Sequence, residues 1–327
     1  MKVVLSIILA VIVGFFVAIE IGLRSLFGFG NPLIYIGDAE IGYLLAPNQR
    51  TRRFGNRIEI NQYSMRGAPI PKTPAPSTLR VLLLGDSIAN GGWWTDQANT
   101  ISSLMMRSLT SAINQNYQEV EVLNASANSW GPRNELAYLE KFSNFNAQAV
   151  VLLINTDDLF ATAPTSLPVG RDRNYPDSTP ALALVEVLRR YVFTQKPIPE
   201  MKAVNNEPGD RVGFNLEAIG KIQALTSQSN SKFLLVMTPL LRELGETGSR
   251  DYEIQARQRL SDFTQAQQIT YIDFLPIFNS TTNPQSLYHD HIHLNLQGNQ
   301  LVSKVMERSL LELLGDAPQN KSVVNSL

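Results

Sequence analysis

Short apolar runs alternate with longer segments of helical spacing from residue 80 to near the end of the chain. The apolar runs, each flanked by polar or turn residues, cover residues 81–84, 120–123, 150–154, 233–236 and 269–272. Apolar residues recur at helical spacing in residues 101–113, 134–142, 216–227, 252–266 and 301–314. Alternating strands and helices predict an α/β domain in which about five parallel strands are covered by helices on both faces.

The amino-terminal segment differs from the rest, because residues 3–19 carry no charge and are apolar all round. Their number reaches the lower limit of roughly 17 residues for a helix that crosses a membrane. The pattern predicts a membrane anchor over residues 1–24, with the rest of the chain on the non-cytoplasmic, periplasmic side. A cleaved signal peptide is the main alternative, because Lys2 supplies a positive start, although no clear small-x-small cleavage site follows. All-round apolarity disfavours a buried helix of a soluble protein.

Three further segments do not follow the alternation of strands and helices. Residues 25–76 are rich in Gly, Asn, Pro and aromatics, and predict an irregular collar with one strand near residues 58–62, ending in a stiff proline-rich linker. This linker is the predicted boundary of a main domain over residues 77–315. Within that domain, residues 163–210 hold many prolines and one helical piece, which indicates an insertion or cap. The polar tail 316–327 is predicted to be disordered.

Composition narrows the possible functions. With 44% apolar residues the chain can build a substantial core, and a net charge of −1 leaves no basic stripe for nucleic acid. No cysteine occurs, which excludes disulfides, thiolate metal sites and cysteine nucleophiles. Only three histidines occur, at His289, His291 and His293, so any chemistry that needs an imidazole uses that short segment.

Two short motifs carry candidate chemistry. Ser87 follows the first buried strand in the sequence Gly-Asp-Ser, at the strand end where α/β sheets bind ligands. Near the other end of the domain, Asp290 precedes His293 by three residues, just before the last helix. A serine nucleophile needs an adjacent base, and the base needs an acceptor that holds its tautomer. Taken alone, Ser87 is as readily a helix cap, and Asp290 with the histidines a polar loop.

Together, the strand followed by Gly-Asp-Ser and the late Asp-x-x-His resemble the SGNH/GDSL hydrolase superfamily, over roughly residues 80–314. The resemblance implies a three-layer, flavodoxin-like α/β/α fold. It also implies a catalytic triad in which Ser87 is the nucleophile, His293 the base and Asp290 its orienter. The expected substrate is an acylated small molecule or glycan, and no cofactor is expected.

The resemblance also assigns an oxyanion hole. Its backbone donors are the N–H groups of Ser87 and Ser129, the latter standing where the family usually has glycine. In the third block, Asp157 replaces the family's oxyanion-donating asparagine, and an ionised carboxylate cannot donate a hydrogen bond. We therefore expect either a protonated Asp157 or the side-chain amide of Asn155 to act near the hole.

Several functions stay open at this point. A carboxylic ester hydrolase, including an acetylesterase acting on a cell-envelope glycan, is the leading hypothesis. Two alternatives are an O-acyltransferase that modifies a polysaccharide, and an inactive binding protein that has kept the fold. A zinc site built from His289, His291 and His293 is a rival use of the histidines, although no second ligand cluster is evident.

Overall fold

The structure is a computed structural model that describes residues 1–113, 117–246 and 248–315. Residues 316–327, for which the sequence predicts disorder, lie outside the described residues.

Helix α1 (Lys2–Gly22) continues into one turn of π-helix, Leu23–Phe27, and Gly28 ends it in the left-handed conformation at φ 75°. No side chain of α1 is buried, as its all-round apolar sequence predicts. Across the described ranges of the chain, this is the one helix that is long and apolar enough to cross a membrane.

Two β-hairpins follow α1, where the sequence predicts an irregular collar with one strand. Strand β1 (Tyr35–Asp38) pairs antiparallel with β2 (Gly42–Leu45), and β3 (Gln49–Arg53) pairs with β4 (Asn56–Ile60). The expectation of an irregular segment is corrected for a simple reason. The strands are only four or five residues long, and β2 is buried on both faces, so alternation is too short or absent to detect.

The hairpins pack onto the main domain. Tyr35, Leu45 and Ile58 belong to the same hydrophobic cluster as one face of the main sheet. The proline-rich segment lies against the domain too, because the fully buried Arg80 donates hydrogen bonds to the carbonyls of Pro71 and Lys72. Residues 25–76 therefore contribute to the core.

The main sheet has five parallel strands, which confirms the predicted α/β fold. They are β5 (Thr78–Gly85), β6 (Glu119–Ser126), β7 (Ala149–Asn155), β8 (Lys232–Thr238) and β9 (Thr270–Asp273), in the order β6-β5-β7-β8-β9. The chain steps from β5 to β6 on one side and returns to β7 on the other. The crevice at the carboxyl end of β5 is therefore a topological switch point, where such sheets bind ligands.

Nine further helices accompany the sheet over the described part of the chain. They are α2 (Ser87–Asn90), α3 (Ile101–Ala112), α4 (Pro132–Phe142), α5 (Ala183–Val187), α6 (Met201–Asn205), α7 (Arg211–Gln228), α8 (Asp251–Ala266), α9 (Phe274–Asn279) and α10 (Leu296–Leu314). Helices α4, α7 and α8 pack on one face of the sheet, and α3, α9 and α10 on the other. Leu82 and Leu84 of β5 face the first layer, and Val81 and Leu83 the second, as expected for a strand buried on both faces.

The insertion over residues 163–210 lies beside the hairpins. It contains α5, which continues as a turn of π-helix, Leu188–Val192, and the short α6. The end of α1 contacts it directly, because the carboxylate of Glu20 accepts hydrogen bonds from the N–H groups of Ala183 and Leu184. The first turn of α5 is thereby capped by the amino-terminal helix.

Candidate active site

Ser87 occupies the first position of α2, directly after β5. The side chain of Asp86 caps this helix by accepting a hydrogen bond from the N–H of Ile88 at 2.8 Å. Strand, cap and helix together hold Ser87 at the switch point of the sheet, and its own N–H is among those left free at a helix start. Ser87 is buried, apart from the side that faces the cavity described below.

Asp290 and His293 lie in a tight loop before α10. Oδ1 of Asp290 accepts hydrogen bonds from the N–H groups of Ile292 and His293, which folds the loop back on itself. Oδ2 of Asp290 lies 2.8 Å from Nδ1 of His293, and Nε2 of His293 lies 2.9 Å from Oγ of Ser87. The three side chains that the sequence singles out are therefore brought together in one chain of hydrogen bonds.

This arrangement lowers the pKa of Asp290. Burial alone would raise the pKa of Asp290, but hydrogen bonds from the His293 side chain and from two backbone N–H groups outweigh it and hold the pKa at about 2. Asp290 is therefore ionised near neutral pH, and as an acceptor it favours the tautomer in which Nδ1 of His293 donates to it. In that tautomer Nε2 is the acceptor of a hydrogen bond from the Ser87 hydroxyl.

Buried carboxyl groups lie beneath Ser87. Oδ2 of Asp86 is 3.3 Å from the Ser87 hydroxyl, a longer contact than that to His293. Burial raises the pKa of Asp86, and it raises the pKa of Asp158 and Glu135 well above the usual range, with the charge of Asp86 adding to both. Neither oxygen of Glu135 has a hydrogen-bond partner in the described chain, so no hydrogen bond there stabilises its charged form.

Ser129 has a backbone conformation that is typical of glycine. Its φ is +58°, in the left-handed region that side chains rarely occupy. It lines the same cavity as Ser87 and His293. The hydroxyl of Tyr175, from the insertion, donates a hydrogen bond to Oγ of Ser129 at 2.9 Å.

The two other residues expected near the oxyanion hole, Asn155 and Asp157, do not line the cavity that Ser87 and Ser129 share. The amide of Asn155 donates to Oδ2 of Asp86 and Oδ2 of Asp158, both at 2.9 Å, so it holds the carboxyl groups beneath the site. Asp157 turns outward, with a side chain 59% exposed and Oδ1 3.7 Å from Nη2 of Arg242. The expected placement of both is corrected: Oδ1 of Asn155 caps the turn by accepting the N–H of Asp157, which directs that side chain away from the cavity.

The other two histidines point elsewhere. His289 stacks parallel to Trp94 with ring centroids 6.2 Å apart, and the side chain of His291 is 87% exposed. Over the described residues, no three His, Asp or Glu side chains converge in a way that could hold a metal ion.

A sequence profile of the GDSL-like lipase/acylhydrolase family matches residues 83–301. The chain belongs to that family. A solved lipase/acylhydrolase from Enterococcus faecalis superposes with a TM-score of 0.45 at 14% identity, over 75% of this chain and 100% of its own. An acetylxylan esterase from Geobacillus stearothermophilus superposes with a TM-score of 0.46 at 14% identity, over 75% and 100%. No curated protein matches the chain.

In this member of the GDSL-like family, a buried arginine holds the loop beside the site, a feature that the sequence did not reveal. Arg66, just after the hairpins, is only 2% exposed and donates to the carbonyl oxygens of Asn90, Gly92 and Thr95. Burial lowers its pKa to about 9. The fixed loop carries Trp94, whose ring lies 4.2 Å from the ring of His293.

Ser87 and His293 line a cavity of about 270 Å³. Its walls come from the hairpin region, the loop that carries Trp94 and the insertion, so segments outside the sheet shape it. Several aromatic side chains contribute to these walls: Phe29, Tyr35, Phe54, Trp93, Trp94, Tyr175 and Tyr191. The sequence carried no local signal for this cavity, because its parts meet only through contacts between distant residues.

Proposed function

We propose that this chain is a serine-dependent carboxylic ester hydrolase that removes an acyl or acetyl group from an ester of a cell-envelope glycan. Its membership of the GDSL-like lipase/acylhydrolase family supports ester hydrolysis in general. The observation that carries the proposal is the hydrogen-bonded series from Asp290 through His293 to Ser87, with contacts of 2.8 Å and 2.9 Å.

In the proposed reaction, Oγ of Ser87 attacks the ester carbonyl carbon while Nε2 of His293 takes the hydroxyl proton. Asp290 stabilises the imidazolium that forms. The tetrahedral intermediate collapses when His293 returns the proton to the leaving alcohol oxygen, which leaves an acyl-serine. Water then gives a proton to His293 and attacks the acyl carbon, and release of the carboxylic acid restores the Ser87 hydroxyl.

The oxyanion would accept hydrogen bonds from the N–H groups of Ser87 and Ser129. We propose that the hydroxyl of Ser129 donates a third hydrogen bond to the oxyanion. This hydroxyl accepts from Tyr175, which leaves its own proton free to donate towards the cavity. A side-chain donor at position 129 would replace the asparagine donor that the third block lacks.

We also propose that α1 stays attached as a membrane anchor, with residues 25–315 on the non-cytoplasmic side. The contact of Glu20 with the first turn of α5 supports retention, because a cleaved segment would leave that helix end uncapped. The chain has no cysteine, so a single cysteine introduced at the exposed Gln265 can show on which side of the membrane the domain lies. A membrane-impermeant maleimide should label it in intact spheroplasts. Labelling only after lysis would place the domain in the cytoplasm.

The function is tested by turnover of a small acetyl ester by the full chain in detergent, with an acetylated oligosaccharide as second substrate. Acetate release that is lost in His293→Gln supports the hydrolase. Transfer of acetate to an added sugar in excess over release to water would make the protein an acyltransferase. A folded chain that binds the oligosaccharide without turnover would make it a binding protein.

A further inference from the structure

The charge inside the catalytic cavity is uniformly positive. Among the described residues that line it, Arg53 and Arg190 carry the only permanent charges, and no Asp or Glu side chain is present. A cavity meant for a neutral ester has no need of two guanidinium groups, since each costs free energy to remove from water.

Arg53 is buried with part of its hydrogen-bonding capacity unused. It ends strand β3, its residue surface is only 6% exposed, and its guanidinium lies 4.3 Å above the ring centre of Phe29. Nη2 pairs with a carboxylate oxygen of Glu186, but Nη1 has no hydrogen-bond partner within the described chain. A buried cationic donor that lacks an acceptor is uncommon and unfavourable, so a hydrogen-bond acceptor on a ligand would stabilise it.

Glu186 cannot neutralise both arginines. Its Oε1 lies 3.8 Å from Nε of Arg190, beyond hydrogen-bond distance, and its Oε2 accepts the N–H of Gly30 at 2.6 Å. The other contacts of Arg190 are to neutral acceptors, the side chain of Asn174 and the carbonyl of Arg173. Two cations therefore share one carboxylate, which leaves one positive charge in excess.

We propose that Arg53 and Arg190 form an anion subsite of the catalytic cavity, and that the substrate is an acyl ester whose alcohol portion carries a carboxylate or a phosphate. The planar guanidinium group suits both anions, since it can donate two parallel hydrogen bonds. The carboxylate would belong to an acidic sugar and the phosphate to a phosphorylated glycan or lipid headgroup. The aromatic walls offer flat apolar faces for the uncharged part of either molecule. This proposal rests on the proposed function only in taking the ester as the bond that Ser87 attacks.

The test compares kcat/KM of the full chain in detergent on the O-acetyl esters of three monosaccharides of similar size: neutral glucose, glucuronate and glucose 6-phosphate. At least one anionic ester should exceed the neutral one by about tenfold or more, the usual value of a charge-assisted hydrogen bond. Preference for the carboxylate ester would indicate an acidic sugar as the substrate, and preference for the phosphate ester would indicate a phosphorylated glycan or lipid headgroup. Equal kcat/KM on all three would overturn the proposal.

Arg190→Gln should reduce the anionic-to-neutral ratio by about tenfold, and added salt should reduce it in the native chain. Arg53→Lys keeps the positive charge beside Glu186 but loses the two parallel N–H donors of the guanidinium group. It should therefore also lower the anionic-to-neutral ratio of kcat/KM. The matched control is Arg189→Gln, because Arg189 is exposed next to Arg190 and does not line the cavity. A fall in the ratio of equal size in this control would contradict a specific subsite.

Binding separates this proposal from the proposed function. The Ser87→Ala chain should bind the preferred anionic ester more tightly than the neutral one, measured by titration calorimetry. If the native chain hydrolyses no ester but this preference in binding persists, the proposed hydrolase fails and the anion subsite stands. If turnover depends on Ser87 without any preference for anionic esters, the subsite fails and the hydrolase stands.

Discussion

The hydroxyl of Tyr175 donates to Oγ of Ser129 at 2.9 Å, which joins the insertion to the loop that would bind the oxyanion. Tyr175 itself is fixed by packing, since its ring centre lies 5.1 Å from that of Tyr35 and 5.1 Å from that of Tyr43. The insertion therefore takes part in positioning a residue beside Ser87.

Replacing Ser129 by glycine tests whether its hydroxyl donates to the oxyanion. The fold should be retained, because glycine readily adopts the φ of +58° found there. We expect kcat to fall on the order of 10², the usual loss for one oxyanion donor, with KM little changed. Tyr175→Phe should lower kcat roughly tenfold, because the hydroxyl loses its orientation. The control is Tyr252→Phe on the exposed surface. Full activity of Ser129→Gly would show that the Ser129 hydroxyl does not donate to the oxyanion and that only backbone N–H groups do.

Asp157→Asn should leave kcat/KM for a small acetyl ester within about twofold of the native value, as for other surface substitutions. Its side chain is exposed and directed to Arg242, so it neither donates to the oxyanion nor repels it. Asn155→Asp is the informative contrast, because it places a third carboxyl between Asp86 and Asp158. That variant should lower the melting temperature markedly. A clear rise in turnover for Asp157→Asn would show that residue 157 does act at the oxyanion hole.

Asp290→Asn should reduce kcat on the order of 10³ to 10⁴, because the amide no longer selects the Nδ1-protonated tautomer of His293. The pKa of about 2 in the folded chain lies below the ordinary value of about 3.9 for aspartate. A lowered pKa stabilises the fold above pH ~4 and loses this effect as pH falls towards 2. The difference in melting temperature from the native chain should therefore be largest near neutral pH. Asp262→Asn, on the surface of α8, should show neither effect.

Arg66→Met should destabilise the chain by about 3 kcal/mol or more, because three carbonyl oxygens lose a buried donor. Turnover should fall as well, since the same loop holds Trp94 against His293. The matched control is Arg57→Met, whose exposed ion pair with Asp96 contacts the same loop from outside. Similar losses of melting temperature in both variants would show that burial of Arg66 has no special effect.

The sequence predicts the parts of this molecule that depend on local pattern. Buried strands such as β5 are continuous apolar runs, and Ser87 directly follows one of them, whereas Asp290 and His293 stand in a short motif before the last helix, α10. Parallel-sheet topology places the carboxyl ends of the strands, and with them Ser87, at one edge of the sheet. The expectation that Asp290 and His293 meet Ser87 came from the resemblance to the SGNH/GDSL superfamily, because topology alone does not position the loop before α10.

The remainder depends on contacts between distant residues. Arg53 and Arg66 look like ordinary arginines in a polar segment, and only the packed hairpins bury them. Asp157 was expected to face the site because of its place in the third block, whereas a local cap by Asn155 turns it away. Pattern alone does not encode such a rotation of one side chain.

The most direct test of the account is covalent labelling of the full chain with a fluorophosphonate, followed by mass spectrometry of the modified peptide. The probe reacts with a serine only when a neighbouring base activates it. We predict one adduct, on Ser87, that is lost in Ser87→Ala and in His293→Gln but retained in Ser227→Ala, a surface control. A folded native chain that takes up no probe, or an equal yield of adduct in Ser87→Ala, would contradict the assignment of Ser87 as nucleophile.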